Sequence, residues 1–228
     1  YYMLIHKNIE IRDLGLYLVK EKVLVIGDIH IGYEEELNIK GLMIPRFNFK
    51  DLKERILKIL DNVETVVING DIKHKFGGIM NTEWKDVRDF LELFGERKIV
   101  LVQGNHDRIL KPIVKDMELV DYYKVGDVMI CHGDDIKDVE SKVIIIGHEH
   151  CAIGLREGVR LEKYKCFIKG KYKRKVLIAM PSYNLLAEGS DVLREKKLSP
   201  YLQGNLDKFE VFVVSDKVYD FGKLKNLR

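Results

Sequence analysis

The sequence is poor in residues that staple or stiffen a chain: three cysteines, four prolines and only two glutamines, Gln103 and Gln203, in 228 positions. Cys131, Cys151 and Cys166 are odd in number and share no paired spacing, which argues against a disulfide framework and for a reducing, cytoplasmic setting. Long apolar runs are lacking too. The first apolar stretch, 14 to 26, is broken by Lys20-Glu21-Lys22, so it reads as neither a secretory signal nor a membrane span. Excess charge is small, 39 basic against 36 acidic residues. That balance selects neither a nucleic-acid nor an acidic partner, and any basic surface must be local. What is abundant is charge itself, 33% of the chain, together with Ile, Lys and Glu, a bias that leans toward a thermophilic source. The 46% hydrophobic content is enough for one sizeable domain, expected to span 1–228.

Residues 14 to 19 and 23 to 27 read as a hairpin around Lys20-Glu21-Lys22. A polar, acidic stretch follows, a loop entering a short helix that fails at Gly41 and Pro45. Asn48 is placed to cap a helix carrying Leu52, Ile56, Leu57, Ile59 and Leu60 on one face. Asn81 or Thr82 can cap another, with Trp84, Val87, Leu91 and Phe94, stopping at Gly95. Between them lie the β-branched run 65 to 69 and, after them, the strand 98 to 102. Strand, helix, strand, helix, strand predicts parallel pairing with helical crossovers, in which ligands collect beyond the carboxyl ends of strands. Runs at 128 to 131 and 143 to 147 follow, and the remainder reads as mostly β, with 175 to 180 and 210 to 214 the clearest strands.

Polar side chains of one kind stand at these strand ends: Asp28 and His30, Asp71, Asn105 with His106 and Asp107, His132, and His148 with His150. Any one of them alone is ordinarily a turn residue. Five strand ends terminating alike point to a shared site. Carboxylate and amide oxygens with imidazoles suit borderline divalent ions such as Mn, Fe, Co, Ni or Zn, and the lack of a carboxylate cage argues against calcium. The donors are too many for one tetrahedral zinc and suit two ions that share a carboxylate. In extended chain, residues i and i+2 project to one side, so Asp28 with His30, and His148 with His150, can each aim a pair of donors.

The ordered set Gly27-Asp28-Ile29-His30, Gly70-Asp71, Gly104-Asn105-His106-Asp107, His132-Gly133-Asp134 and Gly147-His148-Glu149-His150 resembles the five-part signature of the calcineurin-like metallophosphoesterases. The resemblance implies a four-layer αββα sandwich (α+β), two mixed β-sheets flanked by helices. It implies that Asp28, His30 and His150 hold one divalent ion, and Asn105, His132 and His148 a second, with Asp71 bridging; manganese leads the candidates. His106 would be the catalytic acid and Asp107 its orienting partner. The chemistry agrees: a phosphodiester needs its oxygens clamped, a water activated at neutral pH and a proton for the departing oxygen, and a carboxylate-held His beside the ligands can supply the last. Two positions depart from relatives: His74 stands three after Asp71, where purple acid phosphatases carry an iron-binding tyrosine, and Cys151 follows His150, where a proline is common. His74 is either a support behind the ligands, the favoured reading, or a loop residue, and Cys151 either a small buried residue, again favoured, or an oxidisable thiol beside the metals.

Asp28-x-His30-x-Gly32-Tyr33-Glu34, Gly70-Asp71-Ile72-Lys73-His74, Pro181-Ser182-Tyr183-Asn184 and Leu198-Ser199-Pro200 further resemble a prokaryotic subgroup. That subgroup is related to repair exonucleases and includes ligase-associated DNA-damage endonucleases. The resemblance implies a nuclease-like phosphodiesterase of DNA repair. The alternatives are a phosphodiesterase or phosphatase for a small nucleotide or a phosphoprotein, and a partner-dependent subunit or scaffold. A helicase, ATPase or ligase partner fits a chain without a P-loop, self-association is left open, and no membrane partner is expected. The segment Lys163 to Lys175, with Lys171, Lys173 and Arg174 among interleaved aromatics, has the composition of a strand that follows a phosphate backbone, or of a solvated hairpin. Arg46, Lys73 and Arg108 lie near strand ends and are candidates, with His74, for holding substrate.

Overall fold

A computed structural model describes residues 2–44, 47–75, 81–107, 110, 114, 117–158 and 160–227. The chain begins with an antiparallel meander, β1 (Met3–His6), β2 (Ile9–Arg12), β3 (Gly15–Leu18) and β4 (Val23–Ile26). It continues through α1 (Tyr33–Ile39) and α2 (Phe47–Leu57) to β5 (Thr65–Asn69), and through α3 (Asn81–Glu92) to β6 (Lys98–Val102) and β7 (Glu118–Val120). β4 to β7 pair parallel, and the seven strands lie in sequence order. The crossovers and the β3–β4 hairpin follow the expectation. The β1–β2 hairpin was not foreseen, although Ile5, Ile9 and Ile11 are all buried and alternate with polar residues as a half-buried strand should.

The second sheet is built from β8 (Tyr122–Val125), β9 (Val128–Cys131), β10 (Val143–Ile146), β11 (Cys151–Glu157), β12 (Arg160–Tyr172), β13 (Lys175–Ala179), β14 (Ser190–Asp191), β15 (Glu210–Val214) and β16 (Val218–Lys223). Its order is β14-β11-β12-β13-β10-β9-β8, with β15 on β12 and β16 on β15. At its centre β9, β10 and β13 run parallel.

The two sheets form a mixed sandwich. Val128, Ile130, Ile145, Phe167, Ile178 and Phe212 alternate inward and share one core with the first sheet. α2, α3 and the turn after α3 close that core from the other side with Leu52, Ile56, Val87, Phe90 and Phe94. Burying each such side chain contributes about 1.5–3 kcal/mol. The opposite face of the second sheet, Met129, Ile144, Cys166, Ile168 and Leu177, is covered by Tyr201, Leu202, Leu206, Phe209 and Leu224. Those residues come from C-terminal loops and the 3-10 turns Pro200–Leu202 and Leu224–Leu227, so this outer layer is less helical than its counterpart. Among the described residues, no helix is long and apolar enough to cross a membrane.

Candidate metal centre

The parallel strands of both sheets point their carboxyl ends at one edge of the sandwich. Ile26 is level with Ile68, and Ile146 with Cys131 and Ala179, so the following loops start side by side. The ladder carries on into the loops: Asp28 N donates to Gly70 O (3.0 Å) and His30 N to Asp71 O (2.9 Å). His148 N crosses between sheets to Asp28 Oδ2 (3.0 Å), and His106 N donates to Asp71 Oδ1 (2.9 Å).

The backbone is strained where the donors sit. Asp28 (φ 53°), His30 (50°), Asp71 (49°), His148 (62°) and His150 (49°) are all left-handed. That conformation costs an L-residue about 1–2 kcal/mol, and such costs gather at functional sites. Two motif glycines are required by space. A Cβ on Gly70 (φ 78°) would lie 2.1 Å from His132 Nδ1, and one on Gly104 would lie 2.2 Å from Asp71 Oδ1.

The side chains converge in two groups. His30 Nε2 lies 3.1 Å from His150 Nε2, which is 3.3 Å from Asp28 Oδ1. His132 Nε2 has Asn105 Oδ1 at 3.0 Å, His148 Nδ1 at 3.1 Å and Asp71 Oδ2 at 3.5 Å. The same Asp71 oxygen is 3.8 Å from His30 Nε2, between the groups. One imidazole nitrogen carries at most one proton, so the Asn105 and Asp71 oxygens that both approach His132 Nε2 exceed what a single N–H satisfies. A cation satisfies them. The donors therefore fit two divalent ions: Asp28, His30 and His150 would hold one, Asn105, His132 and His148 the other, with Asp71 placed to touch both.

Proton equilibria show the same competition. Burial, and then His150, push His30 down to about 3. Burial opposes protonation of His132, but the Asp71 hydrogen bond and the Asp28 and Asp71 charges outweigh it and raise the ring to about 9. Burial followed by the charge on His132 lowers His148. Asp28 and Asp71 are buried, which alone would raise them, yet the surrounding imidazoles hold both low.

His106 stands beside these groups, with Nε2 3.8 Å from Asp71 Oδ2. Its expected orientation by Asp107 is not what the structure shows. Asp107 is buried and accepts from Ile72 N and Gly104 N, both 3.1 Å, tying two ligand loops together. The His106 ring is instead held through Nδ1 on the carbonyl of His74 (2.5 Å). Consecutive residues on a tight turn point different ways, and the buried loop amides take the carboxylate. Burial and the Asp71 charge raise Asp107 to about 6.

His74 joins the cluster: Nδ1 is 3.4 Å from His30 Nδ1, and Nε2 is 2.9 Å from Glu36 Oε2 on α1. Lys73 is fully buried with its ammonium on Lys75 O, so it does not reach into the open site. Arg46 and Arg108 lie outside the described residues. Lys171 lies near the end of β12, and Lys173 and Arg174 form the turn before β13. β13 is five residues long and parallel to β10, which places that turn roughly 15 Å from the ligand edge, at the other end of the sheet. The rest of this basic segment is committed elsewhere: Phe167 is core, Lys165 donates to Ser182 O (2.8 Å), Lys169 to Ile5 O (2.8 Å) and Lys175 to Val139 O (2.6 Å). Cys151 is fully buried, and burial raises its thiol, as expected of a packing residue.

The C-terminal segments proved to be the buttress. Ser182 Oγ donates to Asp28 O (2.7 Å), and Asn184 Nδ2 to Ile29 O (2.9 Å) and His30 O (3.3 Å). Glu149, between two ligands, accepts from Leu198 N (2.8 Å) and Ser199 N (2.9 Å), while Ser199 Oγ donates to Gly133 O (2.7 Å). The Pro181-Ser182-Tyr183-Asn184 and Leu198-Ser199-Pro200 motifs were visible in the sequence, but their task was not.

Strand-end carboxylates and imidazoles gathered on a two-sheet sandwich define a metal-dependent hydrolase of phosphoesters. Residues 21–141 match the model of the calcineurin-like phosphoesterase family, and the chain belongs to that family. No curated protein matches it significantly. Among solved structures, the nuclease MPE of Pseudomonas putida is 18% identical, aligned over 97% of this chain and 100% of that one, with a TM-score of 0.70. A Vps29 double mutant from Entamoeba histolytica is 15% identical over 90% of this chain and 94% of its own, with a TM-score of 0.36. At these identities the first likeness concerns the fold.

Proposed function

We propose that this phosphoesterase is a dinuclear phosphodiesterase acting on nucleic acid, a cytoplasmic nuclease of DNA repair with manganese as its ions. The observation that carries the dinuclear reading is the single Asp71 oxygen lying between two donor groups, 3.8 Å from His30 and 3.5 Å from His132. Likeness in fold to a nuclease, over nearly the whole of both chains, supports the substrate.

Two bound divalent ions would supply Lewis acidity toward the phosphate and a lowered pKa for the attacking water. The chain supplies the rest. Asp28, Asp71 and Asn105 provide the oxygen donors, and the imidazoles of His30, His148 and His150, carried on left-handed backbone, stand around them with that of His132. His106, fixed through Nδ1, presents Nε2 to the reacting region and delivers the proton to the departing oxygen.

A second reading, hydrolysis of a small nucleotide, is favoured by one observation: the basic turn at Lys173 and Arg174, with Lys171 just before it on β12, lies at the far end of the sheet. Metal-reconstituted protein assayed on linear and circular DNA, single- and double-stranded, on RNA, on cyclic nucleotides and on phosphomonoesters separates the two. Cleavage of DNA is the expected result; turnover confined to cyclic nucleotides or monoesters would overturn the nuclease reading.

A further inference from the structure

Next to the donor set, the three helices and the Asn184 loop enclose a cleft of about 450 Å³ that the hydrolytic chemistry does not use. Its mouth is shared with the site, because His30, a ligand in the first donor group, forms part of its wall. Tyr33 of α1, Phe49 and Leu52 of α2, and Leu185 supply ring and aliphatic surface. The Tyr33 ring lies 4.6 Å from that of His74, whose carbonyl holds His106, so one aromatic wall of the cleft packs against the residue that positions the acid.

The polar groups of this wall are already occupied. Asn38 exchanges both amide bonds with the backbone of Ile44 (3.0 and 2.6 Å). Asn184 spends its Nδ2 on Ile29 O and His30 O, and its Oδ1 on Leu186 N (2.9 Å) and Ala187 N (3.2 Å). Glu34, Glu35 and Asp86 have contacts of their own. A guest therefore meets mostly rings and aliphatic carbon, with little side-chain amide capacity left to read hydrogen-bonding edges. The volume falls in the range, about 300–1,000 Å³, that encloses one compact organic group, and is too small for a duplex.

Resting on the phosphoesterase reading of the adjoining donors, we propose that this cleft is a nucleoside pocket. It receives one base attached to the phosphate under attack and holds it by stacking against Tyr33 and Phe49, without distinguishing which base it is. Stacking suits such a role because every base has a π-face. The pocket would make a nucleoside at the scissile phosphate, and not the identity of its base, the feature that this enzyme selects.

Calorimetric binding to the metal-loaded protein tests it, with inorganic phosphate, ribose 5-phosphate, adenosine 5′-monophosphate and thymidine 5′-monophosphate as probes. The two nucleotides are expected to bind at least about tenfold more tightly than ribose 5-phosphate, and within about threefold of each other. Phe49→Leu, which keeps apolar volume but removes the ring, should cut that advantage severalfold. Leu185→Trp, which fills the cleft, should abolish it, with inorganic phosphate binding unchanged in both variants. Equal binding of ribose 5-phosphate and the nucleotides, or an advantage that survives both substitutions, overturns the pocket. Turnover of a generic phosphodiester on the same samples keeps the two conclusions apart. Its absence removes the phosphoesterase reading while base-dependent binding is still read, and turnover without base-dependent binding removes the pocket alone.

Discussion

His30 and His150, 120 positions apart, bring their Nε2 atoms to 3.1 Å, His30 facing the Asp71 carboxylate at 3.8 Å and His150 that of Asp28 at 3.3 Å. One comes from each sheet. The site is therefore a property of the seam, and loss of a charge there should be felt in metal content before it is felt in folding.

Asp71→Asn preserves shape and removes the shared charge. Metal per chain, by elemental analysis after reconstitution, should drop from about two to one or fewer, because neither donor group then holds a bridging anion. Retention of two ions would remove Asp71 from the bridging position.

His106→Ala should retain both ions and the fold. Turnover should fall by about 10²–10⁴, the usual worth of a positioned acid. The loss should be smaller for a diester with a good leaving group such as p-nitrophenolate, which needs little protonation. Steady-state rates on the two substrate types check this.

In the metal-free protein His132 is raised to about 9 from an ordinary 6.5. Its folded pKa exceeds its unfolded one, so its stabilising contribution is complete below about pH 6.5 and is lost as pH rises through about 9. Denaturant melts of metal-free protein should therefore lose stability across that window. An ion must displace the same proton, so apparent metal affinity should climb about tenfold per pH unit up to about pH 9 and then level off. A flat calorimetric affinity between pH 7 and 9 would contradict the assignment.

Ser182→Ala removes the hydroxyl that supports the Asp28 carbonyl at 2.7 Å and also accepts from Asn184 N at 3.1 Å. Stability should fall by about 1–3 kcal/mol, since buried partners are left unpaired. Metal affinity should weaken by about 10–100-fold, as for other supports behind a ligand. Thermal melts with and without added ion separate the two effects.

Much was legible in local patterns. β4, β5, β6, β9 and β10 announce themselves as short apolar runs, and each empties into donor residues because parallel strands bury both faces and expose only their ends. The β1–β2 hairpin was missed because its strands are four residues each and partly polar. Adjacency in sequence does not make Asp107 a partner of the His106 ring; its carboxylate serves the Ile72 and Gly104 amides. The lysines between 163 and 175 read as one surface, and Lys163, Lys165, Lys169 and Lys171 do share the parity of one face of β12, but what packs on that face differs along the strand: Lys165 is engaged with Ser182 O while Lys171, near the strand's end, stays exposed.

The sequence by itself determined which donors exist, their order and the strand ends that carry them, since residue type and periodicity are local and chemical. Only the tertiary structure decided which donors meet, that Ser182, Asn184 and Glu149 brace them, that the basic turn lies away from them, and that a cleft opens beside His30. The reason is physical: those relations depend on how two sheets pack across the seam, and packing couples residues more than a hundred positions apart through contacts that no local pattern records.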